Sequence, residues 1–292
     1  MRELSIIISA QDEGKTLRLI ALKRLCMSSA QFKRAKFQGA LLLNGAPAHA
    51  DRRVCAGDTF VVRVPESVSG AVTPSLIPLT VAYEDDDLLV IDKPAPLPSI
   101  GSAKQEGPTL ENAVCAYLGA PDGFVYRPVN RLDKGTSGLM VVAKHAHAQQ
   151  YLQKRLHGGG LIREYLAVCD GRPPAAEGVI DAPIEKADGA TIRRVVSPSG
   201  KAARTDYRLE GVFGSRCLLR LRLHTGRTHQ IRVHLASVGC PVTGDFLYGT
   251  EHPALPRRFA LHSALVELEL LNGKRIRLTS PLPDALMQLL NG

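Results

Sequence analysis

Apolar and polar residues alternate with a period of two along several stretches of the chain, and this pattern predicts strands. In residues 218–224, three leucines alternate with two arginines and a histidine, so one face should be buried and the other cationic. Around Val266, apolar residues alternate with glutamates in the same way. Because this pattern recurs with few strand–helix–strand repeats, the sequence predicts an α+β fold with a mixed, largely antiparallel sheet.

Helical spacing is clearest near the N-terminus. Residues 17–38 predict two helices, the second of them capped by Ser28 or Ser29. Residues 41–45 (LLLNG) then predict a short strand that enters an Asn-Gly hairpin turn, and residues 59–64 predict another strand. The exposed face of the second helix should carry three cations, Lys33, Arg34 and Lys36.

A change in composition divides the chain. Residues 66–78 are rich in Ser, Pro and Val without useful periodicity, which is typical of a linker. The sequence thus predicts a small domain at 1–65, a linker at 66–78 and a larger domain at 79–292. Within the larger domain, strands are expected around 79–92 and 139–143, and helices around 109–118 and 145–157.

The charge is unevenly distributed. The chain of 292 residues carries a formal charge of +9. Residues 1–65 have 11 basic against 5 acidic side chains, residues 66–126 have 2 against 9, and residues 127–292 have 24 against 14. Two basic regions separated by an acidic stretch fit a polyanionic partner such as RNA, bound at two contact regions.

Several classes of protein are disfavoured. The six cysteines are scattered without a C-x-x-C pair, so neither a zinc site nor a disulfide framework is expected. No apolar run approaches the length of a membrane span, and the N-terminus does not resemble a signal peptide. We therefore expect a cytoplasmic protein without membrane or metal, and by default a monomer.

The most informative segment is residues 130–139 (NRLDKGTSGL), which places Asp133 between Arg131 and Lys134. The two cations should keep the carboxylate ionised, and a held carboxylate can act as a nucleophile or a general base. The segment lacks the Lys-Ser/Thr ending of a phosphate-binding loop and the spacing of a hydrolase elbow. From spacing alone, an aspartate that caps a turn beside a surface ion pair is an equally good interpretation.

Two further blocks hold candidate side chains. Tyr165 lies near the start of a predicted strand, where a tyrosine is more often half-buried core than part of a site. In residues 223–232 (LHTGRTHQIR), a strand ends, Gly226 turns the chain, and Thr228 is expected to cap a helix that ends near Val238.

Together these blocks resemble the RluA-type pseudouridine synthases, in which an RLD tripeptide precedes a threonine-serine-glycine turn and TGRTHQIR follows. The resemblance implies a pseudouridine synthase fold, a large mixed sheet flanked by helices. It assigns the catalytic carboxylate to Asp133, its pairing arginine to Arg232 and the base-packing ring to Tyr165. Many members carry His where this chain has Asn130. A guanidinium suits the pairing because its planar fork can hold a carboxylate through two hydrogen bonds.

The same resemblance implies the activity, isomerisation of a uridine in structured RNA without a cofactor. Large-subunit ribosomal RNA is the first candidate substrate and transfer RNA the second. Residues 244–249 continue the resemblance and are interpreted as scaffold, and residues 1–65 resemble a small RNA-binding module of a ribosomal small-subunit protein. The residues expected to contact RNA in the larger domain are Arg131, Arg163, Arg227 and His229, the last two of which could instead brace their turn.

Two alternatives remain at this point. The chain could be a non-catalytic RNA-binding or ribosome-assembly factor that has kept the fold, although a pure binder has no need of a costly buried ion pair. A carboxylate-based glycosidase would need a second, paired carboxylate, and none lies in the three blocks. The sequence also does not decide whether Asp133 is the nucleophile or the base.

Overall fold

The four strands and two helices of the N-terminal part form one compact unit. The computed structural model describes residues 2–64, 72–101, 107–120, 122–189 and 192–291. The N-terminal elements are β1 (Arg2–Ile7), α1 (Leu17–Lys23), α2 (Ser29–Phe37), β2 (Leu41–Leu43), β3 (Ala46–Pro47) and β4 (Thr59–Val64). The strands form an antiparallel sheet in the order β1-β4-β2-β3, and they share an apolar core with the two helices.

Local chemistry accounts for these elements. Ser28 and Gln31 form a capping box at the start of α2, which satisfies two backbone N–H groups of the helix end. Asn44 and Gly45 both have positive φ, 52° and 80°, as the Asn-Gly hairpin turn requires. The two predicted helices and the strands at 41–43 and 59–64 are confirmed, whereas strand β1 was not predicted.

The strands of the larger part are β5 (Thr80–Glu84), β6 (Leu88–Lys93), β7 (Ser137–Ala143), β8 (Leu161–Asp170), β9 (Glu177–Asp181), β10 (Ile184–Lys186), β11 (Arg194–Val196), β12 (Arg204–Phe213), β13 (Arg216–Leu223), β14 (Leu261–Glu269) and β15 (Arg275–Thr279). Nine of these strands form one sheet in the order β5-β6-β7-β14-β8-β13-β12-β9, with β15 also paired to β14. Every pairing is antiparallel except β7 with β14, so the predicted mixed, mostly antiparallel sheet is confirmed. Strands β10 and β11 form a separate hairpin.

Four α-helices accompany this sheet, namely α3 (Leu110–Tyr117), α4 (Ala146–His157), α5 (Gln230–Ser237) and α6 (Asp284–Met287). Thr109 caps α3 as predicted. The predicted cap of α5 is wrong. The N-cap residue is His229, one position after Thr228, and it adopts the left-handed conformation with φ 59°.

Strands β7 and β14 approach each other closely just after the Asp133 turn. Their parallel pairing joins Ser137 to His262 and Gly138 to Ser263. Gly138 has φ +103°, and a Cβ atom at this position would overlap the Ser263 carbonyl. Glycine is therefore required here both for its conformation and for the short distance between the strands.

A hydrogen bond connects the two parts of the chain: the imidazole Nε2 of His147, on α4, lies 2.6 Å from the Leu25 carbonyl oxygen. Of the predicted linker, residues 66–71 lie outside the described residues, and residues 72–78 contain no helix or strand. The domain boundaries stay a prediction. None of the helices in the described ranges is both long and apolar enough to cross a membrane.

Candidate active site

Asp133 lies in the turn that leads into β7. The Thr136 N–H donates to the Asp133 carbonyl oxygen at 3.0 Å, which closes the turn, and the Asp133 side chain keeps 29% of its surface accessible. Asn130 is buried and its Oδ1 accepts from the Val141 N–H at 2.9 Å. Asn130 thus anchors the turn to β7, and the carboxylate faces solvent.

Arg232, on α5, reaches Asp133 across 99 residues of sequence. Its Nη1 donates to Asp133 Oδ2 at 3.2 Å. The expectation of two hydrogen bonds between this pair is wrong, because the edge of the guanidinium formed by Nε and Nη2 faces another carboxylate. Nε and Nη2 donate to Asp245 Oδ2 and Oδ1 at 2.6 and 2.7 Å.

Asp245 was interpreted from the sequence as scaffold, and its contact with Arg232 was missed. Its side chain is fully buried and also accepts from the N–H groups of Leu247 and Tyr248, at 3.0 and 3.2 Å. Burial lowers the pKa of Arg232, but the hydrogen bonds and charge of Asp245, with a contribution from Asp133, outweigh it and leave that pKa raised. Arg232 therefore stays charged between two carboxylates. In the sequence, the only indication of this role of Asp245 was the Gly244-Asp245 pair itself.

Aromatic rings enclose the guanidinium. Its central carbon lies 4.0 Å from the centre of the Phe259 ring and 5.1 Å from that of Tyr248. A Cβ atom on Gly135 would come within 2.7 Å of the Phe259 ring, so this glycine lets the ring lie against the Asp133 turn. The rings restrict the plane of Arg232 and contribute cation–π attraction.

Tyr165 lies on β8, opposite Ser263 of β14. Only 3% of its surface is accessible, but it lines the same cleft as Asp133 and, with Arg232, a smaller adjoining pocket. Burial raises the pKa of the Tyr165 phenol, which keeps the group protonated near neutral pH. The structure thus brings Asp133, Tyr165 and Arg232 together around one pocket.

A buried lysine, not predicted from the sequence, lies near Asp133. Lys93 is inaccessible to solvent, and its Nζ donates to the carbonyl oxygens of Pro94 and Leu97 at 2.9 and 2.8 Å. The Leu97 N–H in turn donates to the Lys134 carbonyl at 3.0 Å. Burial lowers the pKa of Lys93 to about 7, although the charge of Asp133 opposes this shift.

The cleft above Asp133 has a volume of about 920 Å³. Asp133 is the one carboxylate among the described residues that line it, against five cations, Arg131, Lys134, Arg163, Arg194 and Arg227. A cleft of this charge attracts polyanions. The predicted RNA contacts Arg131, Arg163 and Arg227 therefore all lie at the cleft.

Two of these predicted contacts also hold the protein together. Arg163 is buried, and its Nη2 lies 3.5 Å from the Thr225 carbonyl oxygen. His229 Nδ1 lies 2.9 Å from the Tyr248 hydroxyl, and burial lowers the pKa of its imidazole despite the opposing charge of Asp133. His229 accordingly braces its turn while lining the smaller adjoining pocket.

The basic helix of the N-terminal part is separate from the cleft. Its three cations are exposed but are not among the residues that line the cleft. Phe37, on the same helix, keeps 77% of its surface accessible, and Lys33 Nζ lies 5.9 Å from the centre of the Phe37 ring. The three exposed cations of this helix are Lys33, Arg34 and Lys36.

Comparison with known proteins identifies the class. Residues 87–237 match the family model described as RNA pseudouridylate synthase. The chain is 38% identical over 272 residues to "Ribosomal large subunit pseudouridine synthase D" of Xanthomonas campestris, which covers 87% of this chain and 81% of the relative. It is 35% identical over 257 residues to an uncharacterised RNA pseudouridine synthase of Bacillus subtilis, with 87% and 90% covered. The chain belongs to the RNA pseudouridylate synthase family.

The match places it more narrowly among the RluA-type synthases, and this confirms the resemblance of the three blocks. Enzymes of this family are isomerases that convert uridine in RNA to pseudouridine. The fold agrees with solved structures. The human RNA pseudouridylate synthase domain containing 4 aligns with a TM-score of 0.59 at 24% identity, over 72% of this chain and 91% of that one. No group of three or more metal-binding side chains is found in the part of the chain that the structure describes.

Proposed function

We propose that Asp133 is the catalytic carboxylate with which this synthase isomerises a uridine in structured RNA. One observation carries the proposal: the half-exposed Asp133 carboxylate lies at a cationic cleft, 3.2 Å from Arg232 Nη1 and beside Tyr165. Its Oδ2 accepts the bond from Arg232, and Oδ1 has no hydrogen bond among the described residues. Asp133 therefore has a free oxygen that can face a substrate.

The reaction breaks the bond between ribose C1′ and uracil N1, rotates the base, and forms a bond between C1′ and C5. N1 gains a proton and C5 loses one, so that substrate and product are isomers and no oxidant or reductant takes part. In our proposal Asp133 acts on the sugar, either as nucleophile at C1′ or as base on the 2′ carbon. Arg232 orients the carboxylate in both versions.

The target base must leave its helix or stack to reach this pocket. Extrusion of a nucleotide costs a few kcal/mol, and contacts between the RNA phosphates and the cleft cations offset that cost. We assign the stacking surface for the extruded uracil to Tyr165. A base–aromatic stack contributes about 1–3 kcal/mol.

We propose that the substrate is large-subunit ribosomal RNA. Several relatives at 34–38% identity carry the name ribosomal large subunit pseudouridine synthase D, and the spread of basic groups favours a large, folded RNA. Transfer RNA is the second candidate. Mapping pseudouridines in ribosomal and transfer RNA from cells with and without this protein distinguishes the two, because the modified site should disappear from only one of them.

A non-catalytic RNA-binding or assembly factor is the rival function. The proximity of Asp133, Tyr165 and Arg232 supports the enzymatic proposal, since a buried guanidinium with a desolvation cost serves no purpose in simple phosphate binding. The test is release of tritium from RNA labelled at uridine C5. Asp133→Ala should abolish release while RNA binding persists, and Asp206→Ala, a carboxylate outside the cleft, should leave release unchanged. Release by Asp133→Ala near the wild-type rate contradicts the proposal.

The N-terminal part, in the same proposal, is an RNA-binding module that uses helix α2. Exposed cations beside an exposed aromatic ring suit both phosphate and base contacts. Replacing Lys33, Arg34 and Lys36 by Gln should weaken binding and lower the salt dependence of affinity, because fewer counterions are released. Gln substitutions of Lys274, Arg275 and Arg277 remove the same charge from β15 and its turn. Equal losses in both triple variants contradict a specific role for α2.

We further infer that the enzyme works as a monomer in the cytoplasm, because its cysteines stay reduced there and RNA is accessible. Sedimentation of the purified protein measures the state directly. A stable dimer contradicts the inference.

A further inference from the structure

We propose that Phe246 and Arg258 form a second RNA contact beside the Asp133 turn, where Phe246 stacks on an unpaired base and Arg258 binds a backbone phosphate. The ligand is a single strand of RNA next to the target uridine, so the inference extends the proposed function and rests on it. Neither side chain is among the residues that line the cleft or the smaller adjoining pocket. The contact therefore adds a surface to those already described.

Arg258 is a half-buried cation without a counter-charge. Its Nη2 lies 3.5 Å from the Ser137 hydroxyl oxygen, and its Nε is buried without a hydrogen-bond partner. No described carboxylate lies within ion-pair distance of this guanidinium. Burial lowers the pKa of Arg258 with no opposing charge, whereas carboxylates raise that of Arg232. An arginine keeps its proton even so, and an approaching anion stabilises a charge that is partly removed from water.

Phe246 supplies an aromatic surface next to this cation. Its side chain keeps 46% of its surface accessible. The ring is nevertheless held in place, because its centre lies 6.5 Å from that of the Phe259 ring and 5.7 Å from the central carbon of the Arg232 guanidinium. An exposed ring that is already ordered loses little conformational freedom on binding. Such rings stack on RNA bases of any sequence.

The segment that carries Arg258 packs directly on the Asp133 turn. A Cβ atom on Gly135 would come within 3.1 Å of the Arg258 Cα atom. Two exposed cations adjoin this contact: Arg257 precedes Arg258, and Lys134 precedes Gly135 and also lines the cleft. Neither forms an ion pair with a described residue. Unpaired cations around an exposed ring are typical of single-strand binding, so a strand that leaves the cleft can continue onto this surface.

Binding of oligouridylate, measured by fluorescence anisotropy at several salt concentrations, tests the two contacts separately. Arg258→Gln should lower the slope of log Kd against log salt concentration by about 0.7, the value for one phosphate contact to a single strand. Phe246→Leu should raise Kd about tenfold and leave the slope unchanged, because stacking releases no counterions. The matched controls are Arg275→Gln, at an exposed position of β15, and Phe213→Leu, at the end of β12 with 39% of its surface accessible. Both controls should bind like the wild type.

An unchanged slope for Arg258→Gln overturns the inference, as does a loss of affinity in the controls equal to that in Arg258→Gln and Phe246→Leu. A loss of kcat for tritium release with unchanged Kd also overturns it, because that result means that the two side chains only support the Asp133 turn. The wild-type protein gives a test that needs no variant to fold. Ultraviolet crosslinking to oligouridylate, followed by peptide mass spectrometry, should join uracil to Phe246, and crosslinks confined to other residues overturn the inference.

These binding measurements do not depend on turnover. Tritium release by Asp133→Ala near the wild-type rate therefore refutes the proposed function and leaves the binding results as they are. Loss of the Arg258 and Phe246 effects, with Asp133→Ala inactive, refutes the second contact alone.

Discussion

Burial of Lys93 makes the stability of this protein depend on pH in a predictable direction. The pKa of Lys93 is about 7 in the folded protein, against an ordinary 10.5. Between these values the unfolded chain binds a proton that the folded chain does not, so the free energy of unfolding rises with pH through this window. The neutral amine has two N–H groups, and two carbonyl oxygens, those of Pro94 and Leu97, accept them. Deprotonation therefore sacrifices neither of these bonds.

The magnitude follows from the width of the window. A difference of one pKa unit corresponds to about 1.4 kcal/mol, and the two titrations together give a gain of about 2 kcal/mol between pH 7 and pH 9. Well below pH 7 both states carry the proton and the contribution no longer changes. Other groups also titrate, so the quantity to measure is the difference between the wild type and Lys93→Met.

Urea denaturation at pH 6, 7, 8 and 9 measures this difference. We expect Lys93→Met to lose the rise of about 2 kcal/mol while paying a pH-independent penalty for two unsatisfied carbonyls, roughly 1–3 kcal/mol each. Lys154→Met, at an exposed position on α4, should follow the wild-type curve. Parallel wild-type and Lys93→Met curves from pH 7 to 9 refute the reasoning, because they mean that the buried amine does not change its protonation.

Substitutions at two other positions, Tyr165 and Gly138, test the site and its support. Tyr165→Phe should keep kcat/KM within about tenfold of wild type, whereas Tyr165→Ala should lose the stacking free energy of about 1–3 kcal/mol; equal inactivity of the two variants in the tritium assay assigns the phenol a proton role instead. Because burial raises the Tyr165 pKa, the pH profiles of Tyr165→Phe and wild type should coincide below pH 10. Gly138→Ala should destabilise the protein by about 1–3 kcal/mol more than Gly273→Ala, since both glycines have positive φ but only the first meets a neighbouring carbonyl. Equal urea midpoints for the two Gly→Ala variants contradict that comparison.

Local patterns were sufficient for most elements of this fold. The alternating leucines of β13 and the caps Ser28 and Thr109 depend on neighbours within a few residues, so the local sequence is enough to predict them. The parallel pairing of β7 with β14 was not predicted, because it joins strands more than 120 residues apart. Strand β1 was missed as well, since it is stabilised by pairing with β4 at the other end of the N-terminal part.

The sequence likewise predicted only part of the candidate site. Asp133, Tyr165 and Arg232 each lie in a block with a recognisable motif, and the structure brings them together. Asp245 and Lys93 lie outside those blocks, and their importance arises from burial beside a charge, which no local spacing reveals. The direction of the guanidinium fork could not be predicted either, because two carboxylates compete for it.

The two buried cations near Asp133 respond differently to burial, and this difference bears on the proposed role of Asp133. Arg232 keeps its charge because carboxylates accept from all three of its nitrogens. Among the described residues Lys93 has only carbonyl oxygens at bonding distance, and burial lowers its pKa to about 7. Above that pH, Asp133 is therefore compensated by a guanidinium that it already shares with Asp245. A carboxylate held in this way has its charge only partly compensated, as the proposed role of nucleophile or base requires. The exposed cations of the cleft can then bind phosphate without neutralising the Asp133 carboxylate.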